Sequence, residues 1–484
     1  MKLNFKKIDV IIIVILLVIA GFILFRGGYI PEPGKPTTPA IEIEHDDEAN
    51  KLIVRSVSRE VLWLDIEIQG QCDKTSLGPY VTPGNEITKC KGTIILTYKP
   101  TNEEIYSWTF SEKDILPSSV IGGNYRSVSP EDEGAHFNSI IIGEEFFREW
   151  WYYTVIFDEE SDLAGWTLTI SFNHMSRNDL FMLKPDILFV VLHSPDGKEY
   201  GGIIERSRPI LGLLKEPSLK VASSANGFKV SFEDSYVQGK SPNWHIHIEG
   251  ENIDNKANLK MDLQFFANSD PYWTHSSRLI DKSKGRISSY IFLGCDVEGT
   301  VSLDNVIFNV KGEGHHEHTW ASGIMVKTIF KGWDWYNIKL DNGWTIYFNN
   351  YYVTTQIQGE KTYTTNPFST LIITTDSGKT MTLLESLNVE IKNSDKIFLL
   401  LNIPKQTQIT ASPSITQPLL RTYQIELALN INSNITLNNI WKGIVHVGMK
   451  IGRSAIDGLI TWSDDDGDHE IELNGIATTW NMRH

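Results

Sequence analysis

From residue 145 to the end, the sequence alternates as β-strands do and never settles into a helical period. WWYYTVIF, WTLTISFNH, ILFVVLH, FKVSFED, WHIHIEG, LKMDLQFFA, SSYIFLG, WYNIKL, WTIYFNN, TLIITT, YQIELALN and IVHVGMK place β-branched or aromatic residues two apart, so that each has an inward and an outward face. SPDG at 194–197 and DNG at 341–343 are hairpin signals between such segments. A stretch of this kind, without crossover helices, predicts an all-β, antiparallel fold of two successive barrels or sandwiches, not an α/β sheet. No internal repeat is evident, and KQTQITASPSITQP at 405–418 reads as a low-complexity loop.

The other end of the chain sets topology. Val10–Phe25, VIIIVILLVIAGFILF, is unbroken apolar, and with Ile8 and Asp9 it predicts a transmembrane anchor over 8–25. Lys2, Lys6 and Lys7 precede it, which predicts a single pass of the cell membrane with the bulk of the chain outside the cytoplasm. No small-x-small cleavage site follows the run, so an uncleaved anchor is preferred over a signal peptide. A Pro/Gly spacer fills 26–40, a small β-sandwich-like module 41–112, and a looser linker 113–136. Cys72 and Cys90 lie in the small module, where an oxidising exterior would let them close as a disulfide. Cys295, inside a strand pattern, reads as a buried inert thiol, and the sequon at Asn434 is compatible with export. A net charge of -16 argues against nucleic acid as a partner.

Three clusters carry candidate chemistry. EFFREWWYY at 145–153 interleaves Glu149 with aromatics, and on a strand Glu149, Trp151 and Tyr153 share one face while Trp150 and Tyr152 share the other. GHHEHTW at 314–320 projects His316 and His318 to one side and His315, Glu317 and Thr319 to the other. KGWDWY follows at 331–336. A metal cage would have to recruit further ligands such as His245 and His247. The HExxH pattern fails because Trp320 stands at its last position, and no CxxC exists, so neither a metal nor a cofactor is assigned. SDDDGDHE at 463–470 has its glycine in the wrong place for a calcium loop and reads as an acidic hairpin turn. Nucleophile-elbow, P-loop and dinucleotide motifs are missing. Two readings stay open: a polar seam in a β core, or a carboxylic acid, Glu317 or Asp334, held protonated in a dry aromatic pocket.

EWWYY, GHHEHTW and GWDWYNIKLDNG, in that order, resemble the AttH/CrtC family of lipocalin-like proteins, which includes hydroxyneurosporene synthase (carotenoid 1,2-hydratase). The likeness runs from Gly143 to the end, with IWKGIV (440–445) and EIELNGIA (470–477) as weakened versions of the family's C-terminal segments. It implies two consecutive lipocalin-like β-barrel domains, 137–322 and 323–484, with a ligand cavity near their junction. It also implies a hydrophobic small molecule or lipid as partner, and a hydro-lyase adding water to an alkene without a cofactor. Glu149, Trp150, Trp151 and Tyr152 stand at the EWWY motif. Glu317 stands where the family has Asp, His318 at its histidine, Trp320 at its tryptophan, and Ala321 in place of its glycine. Trp333, Asp334 and Trp335 form the W-D-W strand. On this reading Glu317, or Asp334 in its place, protonates the substrate, His318 orients the acid or activates water, and the aromatic residues bind the ligand. The competing expectation is a non-catalytic lipid-binding or surface protein.

Overall fold

The computed structural model describes residues 37–46, 51–110, 116–117, 127–137, 148–175, 186–210, 214–251, 258–275, 287–321, 330–357, 360–365, 369–376, 378–397, 401–433, 448–464 and 467–483. The apolar segment 8–25, most of the spacer, the sequon at Asn434 and IWKGIV lie outside them. Among the described residues no helix is long and apolar enough to cross a membrane. The chain divides into two compact units, Met1–Lys113 and Asp114–His484.

In the first unit, five antiparallel strands enclose a small core of Leu52, Val54, Ile87, Ile94 and Leu96. Strand Ile66–Asp73 pairs with Glu86–Tyr98 through an irregular stretch in which Gln71 faces Lys91 and Asp73 faces Thr88. Cys72 and Cys90 fall in that stretch as free thiols in hydrogen-bond contact, and burial pushes the Cys90 thiol up to about 12.

The second unit holds two larger antiparallel sheets, each coiled into a half-barrel. In the first, twelve strands run from Arg148–Phe157 to Val306–Ala321; in the second, ten run from Phe330–Leu340 to Gly467–Arg483. The construction is the same in both: the first strand of each sheet pairs with its last. SPDG and DNG form the turns of two hairpins, with Gly197 and Gly343 at positive φ, a conformation glycine takes without a Cβ penalty. The acidic turn read at 463–470 also joins a hairpin, Asp464 facing Gly467.

Three apolar layers follow from this arrangement. One fills the inside of the first sheet, with Trp151, Tyr153 and Phe157 against Trp244, Ile246 and Phe265. Another fills the inside of the second, around Tyr336, Ile338, Leu429 and Ile460. Between the sheets lies a third, built from Trp150, Tyr152 and Phe189 on one side and Trp333, Trp335 and Trp480 on the other. Arg148–Phe157 therefore faces core on both sides, which is why WWYYTVIF is apolar throughout instead of alternating with polar residues.

Two segments differ from expectation. The tract at 405–418 is not simply a loop, because Leu401–Ser412 is a strand. Ile403, Thr407, Ile409 and Ala411 turn inward and Gln408 and Thr410 do not, so the period of two is present but carried by few large apolar residues. The last part of the stretch read as a linker is also ordered. Residues 127–137 carry a short helix, Pro130–Glu133, capped reciprocally by Ser129 and Asp132, and form a strap that fills the first half-barrel. The Trp151 indole donates to the Glu133 carbonyl at 2.8 Å, and the Trp244 indole donates to the Glu133 carboxyl at 2.6 Å.

Two outcomes are expected. Protein taken from an oxidising compartment and alkylated in denaturant without reductant is expected to show one reactive thiol, Cys295, where a reduced sample shows three; three thiols in both samples would exclude the Cys72–Cys90 bond. Gly314, which opens GHHEHTW, leaves room for neighbours: a Cβ there would stand 2.5 Å from Val297 Cγ2 and 2.7 Å from Phe265 Cε1. Gly314→Ala is expected to destabilise the second unit by about 1–3 kcal/mol in urea denaturation, as overpacking does.

Candidate active site between the two sheets

The pairing of Val306–Ala321 with Arg148–Phe157 sets Glu317 opposite Tyr152, His318 opposite Trp151 and Trp320 opposite Glu149. Because successive side chains point to opposite faces, the two motifs divide between compartments. Trp150, Tyr152, His315 and Glu317 face the layer between the sheets, while Glu149, Trp151, His316 and His318 face the inside of the first sheet.

Glu317 is 1% exposed. Thr319 donates its hydroxyl to one carboxyl oxygen at 2.8 Å and Tyr347 to the other at 3.0 Å. The Trp335 indole and the Asn349 amide donate in turn to the Tyr347 oxygen at 2.8 and 3.1 Å. No cation is paired with Glu317 among the described residues. Burial therefore dominates and pushes the carboxyl up to about 7, against the hydrogen bonds from Thr319, Tyr347 and Trp150. Around it the Trp150 ring lies 6.1 Å from Trp335 and 6.3 Å from Trp333, and Trp335 lies 6.2 Å from Trp480. This is an acid poised to hold or give a proton near neutrality, within a wall of aromatic faces.

His315 shares the Glu317 compartment. Its Nδ1 accepts from the Asn337 amide at 3.0 Å, which leaves the ring proton on Nε2, a buried nitrogen without a partner among the described residues. Burial drives this imidazole down to about 3, so it stays neutral.

Glu149 has a different task. It accepts from the backbone N–H groups of His136 and Phe137 at 2.9 and 3.2 Å, and its carboxyl lies 2.9 Å from His136 Nδ1 and 2.8 Å from His318 Nε2. Burial alone would raise it, but the hydrogen bonds from His136 and His318 outweigh burial and hold it below the usual carboxylate range. Ligand atoms of His136, Glu149 and His318 all lie within 4.8 Å of one another, the spacing of a metal trio. The His136 and His318 nitrogens stand at hydrogen-bond distance from the carboxyl. His318 Nδ1 is 2.9 Å from the Asp132 carbonyl, an acceptor, so that nitrogen is protonated. Its Nε2 is in hydrogen-bond contact with the carboxyl, whereas the donors of a tetrahedral zinc ion stand about 3.3 Å apart. The trio ties the strap to the sheet, with the His136 ring stacked on Trp320 at 3.7 Å.

Asp334 lies on the face of its strand away from Trp333 and Trp335. Arg483 holds it with two nitrogens at 2.9 and 3.0 Å, and Tyr352 and Asn481 donate at 2.6 and 2.7 Å. A carboxylate so fixed is an ion-pair anchor. Of the residues singled out in the sequence, the structure thus brings together Glu317, Trp150, Tyr152, Trp333 and Trp335. It places Glu149, Trp151, His318 and Trp320 in another compartment and Asp334 in a third. His318 does not reach the Glu317 carboxyl, so the expected Glu317–His318 pairing gives way to a Glu149–His318 pairing. His245 and His247 pair with Asp262 at 3.2 and 2.9 Å and do not join GHHEHTW. Sequence reasoning missed Tyr347, Asn349 and Trp480, although the alternation in TIYFNNYY already puts Tyr347, Asn349 and Tyr351 on one face.

No protein-family model matches the sequence, and no curated protein is similar enough to count as a relative. Solved structures with a similar fold include a provisionally named AttH from Nitrosomonas europaea, 14% identical over 75% of this chain and 98% of that one, with a TM-score of 0.47. Kievitone hydratase from Nectria haematococca is 10% identical over 76% of this chain and 97% of its own, with a TM-score of 0.45. CghA, solved with Sch210972, is 9% identical over 77% and 96%, with a TM-score of 0.42. All three are lipocalin-like proteins of the AttH family, the family that the sequence motifs resemble.

The raised Glu317 carboxyl makes stability depend on pH with a definite sign. Its folded value, about 7, exceeds the ordinary 4.5, so stability is fully present below about 4.5 and is lost as pH rises through 7. A difference of 7 minus 4.5 units corresponds to about 3 kcal/mol above pH 8. Glu317→Gln is expected to leave urea stability unchanged at acid pH and to raise it by up to about that amount in mild alkali. A gain that does not vary with pH would mean that Glu317 is already ionised in the folded protein.

Proposed function

We propose that the layer between the two sheets takes up a hydrophobic, isoprenoid-like or lipid-like molecule and that Glu317 protonates an alkene in it, making the protein a cofactor-independent hydratase. One observation carries this reading: Glu317 is a buried acid, protonated near neutrality, facing Trp150, Trp335 and Tyr347 with no paired cation among the described residues.

The reaction follows from those groups. The Glu317 O–H bond breaks as its proton goes to one alkene carbon, leaving positive charge on the other carbon and a carboxylate on Glu317. Aromatic ring faces attract that developing cation. Tyr347 and Thr319, which already donate to the carboxyl, stabilise the carboxylate without having to reorganise. Water adds to the cation and returns a proton to Glu317, so the net change is one water added. If a second double bond of the substrate attacks first, the product is a cyclised isomer. The apolar run 10–25 supports delivery of such a substrate from a membrane to which the chain is tethered.

The experiment is incubation of the purified protein with membrane lipid extract in heavy-oxygen water, followed by mass spectrometry. The expected product is one bound species heavier by one labelled water. Glu317→Gln is expected to lower turnover by about 10²- to 10⁴-fold with ligand affinity little changed. Undiminished turnover in that variant would remove Glu317 as the acid. A bound lipid recovered chemically unchanged from the wild type would identify a carrier instead.

A further inference from the structure

The interior face of the second sheet carries charges that the proposed reaction does not use. Lys450 stands in register with Asn481, Asn481 with Asp334, and Asp334 with Asn350, so one row of polar residues crosses four strands. All are buried, Lys450 at 1% exposure and the other three at 0%. Met449 and Ile451 on either side of Lys450 face the layer between the sheets, so Lys450 itself points to the opposite face.

The carboxylates that act on Lys450, those of Asp334 and Asp395, already hold other cations. Asp334 is occupied by Arg483, Tyr352 and Asn481. Asp395 is occupied by Lys405 at 3.2 Å. Arg483 and Lys405 thus take up these two carboxylates, and the Lys450 ammonium has no hydrogen-bond partner among the described residues. Asn481 Oδ1, also unpartnered, is its neighbour in register and can take one ammonium proton, but an amide oxygen brings no charge. An ammonium left unpaired in a protein interior is costly, and buried charges are ordinarily paired. Burial pushes the Lys450 amine down to about 8, partly offset by Asp395, so most of it is still cationic at pH 7. Asn350 Nδ2 is a further buried donor without a partner among the described residues.

We propose that the interior of the second sheet binds a carboxylate at Lys450, beside the fixed Arg483–Asp334 pair. The unpartnered Lys450 ammonium is a single positive charge, which one carboxylate neutralises. The Lys450 ammonium matches the single charge of a carboxylate and can donate to either of its oxygens, whereas a phosphoryl group at neutral pH carries more than one negative charge. A small organic acid and the head group of a fatty acid offer the same chemistry. No residue of the layer between the sheets takes part, so this site stands or falls independently of Glu317.

The test is calorimetric titration of the full-length protein with acetate, decanoate and inorganic phosphate, alongside Lys450→Met, which keeps the length of the side chain and removes its charge. Saturable binding of a carboxylate is expected in the wild type and at least about 30-fold weaker binding in the variant. Binding of both acids points to a small acid as the natural ligand, and binding of decanoate alone to a fatty acid. A second measurement needs no variant: the signal of isotopically methylated Lys450, followed by NMR, is expected to titrate at higher pH once the acid is bound. Failure of both carboxylates to bind, equal binding by the variant, binding of phosphate alone, or an unmoved Lys450 titration overturns the proposal.

Discussion

The antiparallel pairing of Val306–Ala321 with Arg148–Phe157 is the contact on which the rest of the second unit depends. It joins the end of the first sheet to its beginning, and it sets the register that decides which compartment each motif residue enters. A slip of one residue in Val306–Ala321 would turn its side chains over, sending Glu317 to the strap and His318 to the aromatic layer. Glu149 and His318, bridged at 2.8 Å, hold the register from inside, and Glu317 with Tyr347 holds it from outside by reaching into the second sheet.

Three buried carboxyls of the second unit show how surroundings assign roles to identical chemistry. Asp334 meets a guanidinium, Glu149 meets two imidazoles that hold it below the usual carboxylate range, and Glu317 meets only hydroxyl and indole groups and is pushed up to about 7. Only the last arrangement leaves a proton to give at neutral pH. The difference lies in which cation the fold brings near, not in the carboxyls themselves.

The strands were legible in the sequence because a period of two is a local property, and so was the division of His316 and His318 from His315 and Glu317. Partners were not legible where they arrive from far along the chain. Arg483 reaches Asp334 because the last strand returns beside the first, and Tyr347 reaches Glu317 across the gap between sheets. The strap was missed for a different reason. Its helix is a single turn, too short for any periodicity, and only Ser129, Pro130 and Asp132 marked it as a capped start. Leu401–Ser412 was misread because its inward positions include Thr407 and Ala411, which lack the bulk that makes a strand conspicuous.

The strap makes the two half-barrels unequal. With Glu133 under Trp244 and His136 on Trp320, the bowl of the first sheet is already filled by the chain's own residues and serves as a rigid wall. The layer proposed to take up a ligand lies on the outer side of that wall. Phe189, Tyr351 and Met449 belong to that outer layer and not to the plugged interior, so substitutions aimed at the proposed ligand would fall on residues outside the strap's own packing.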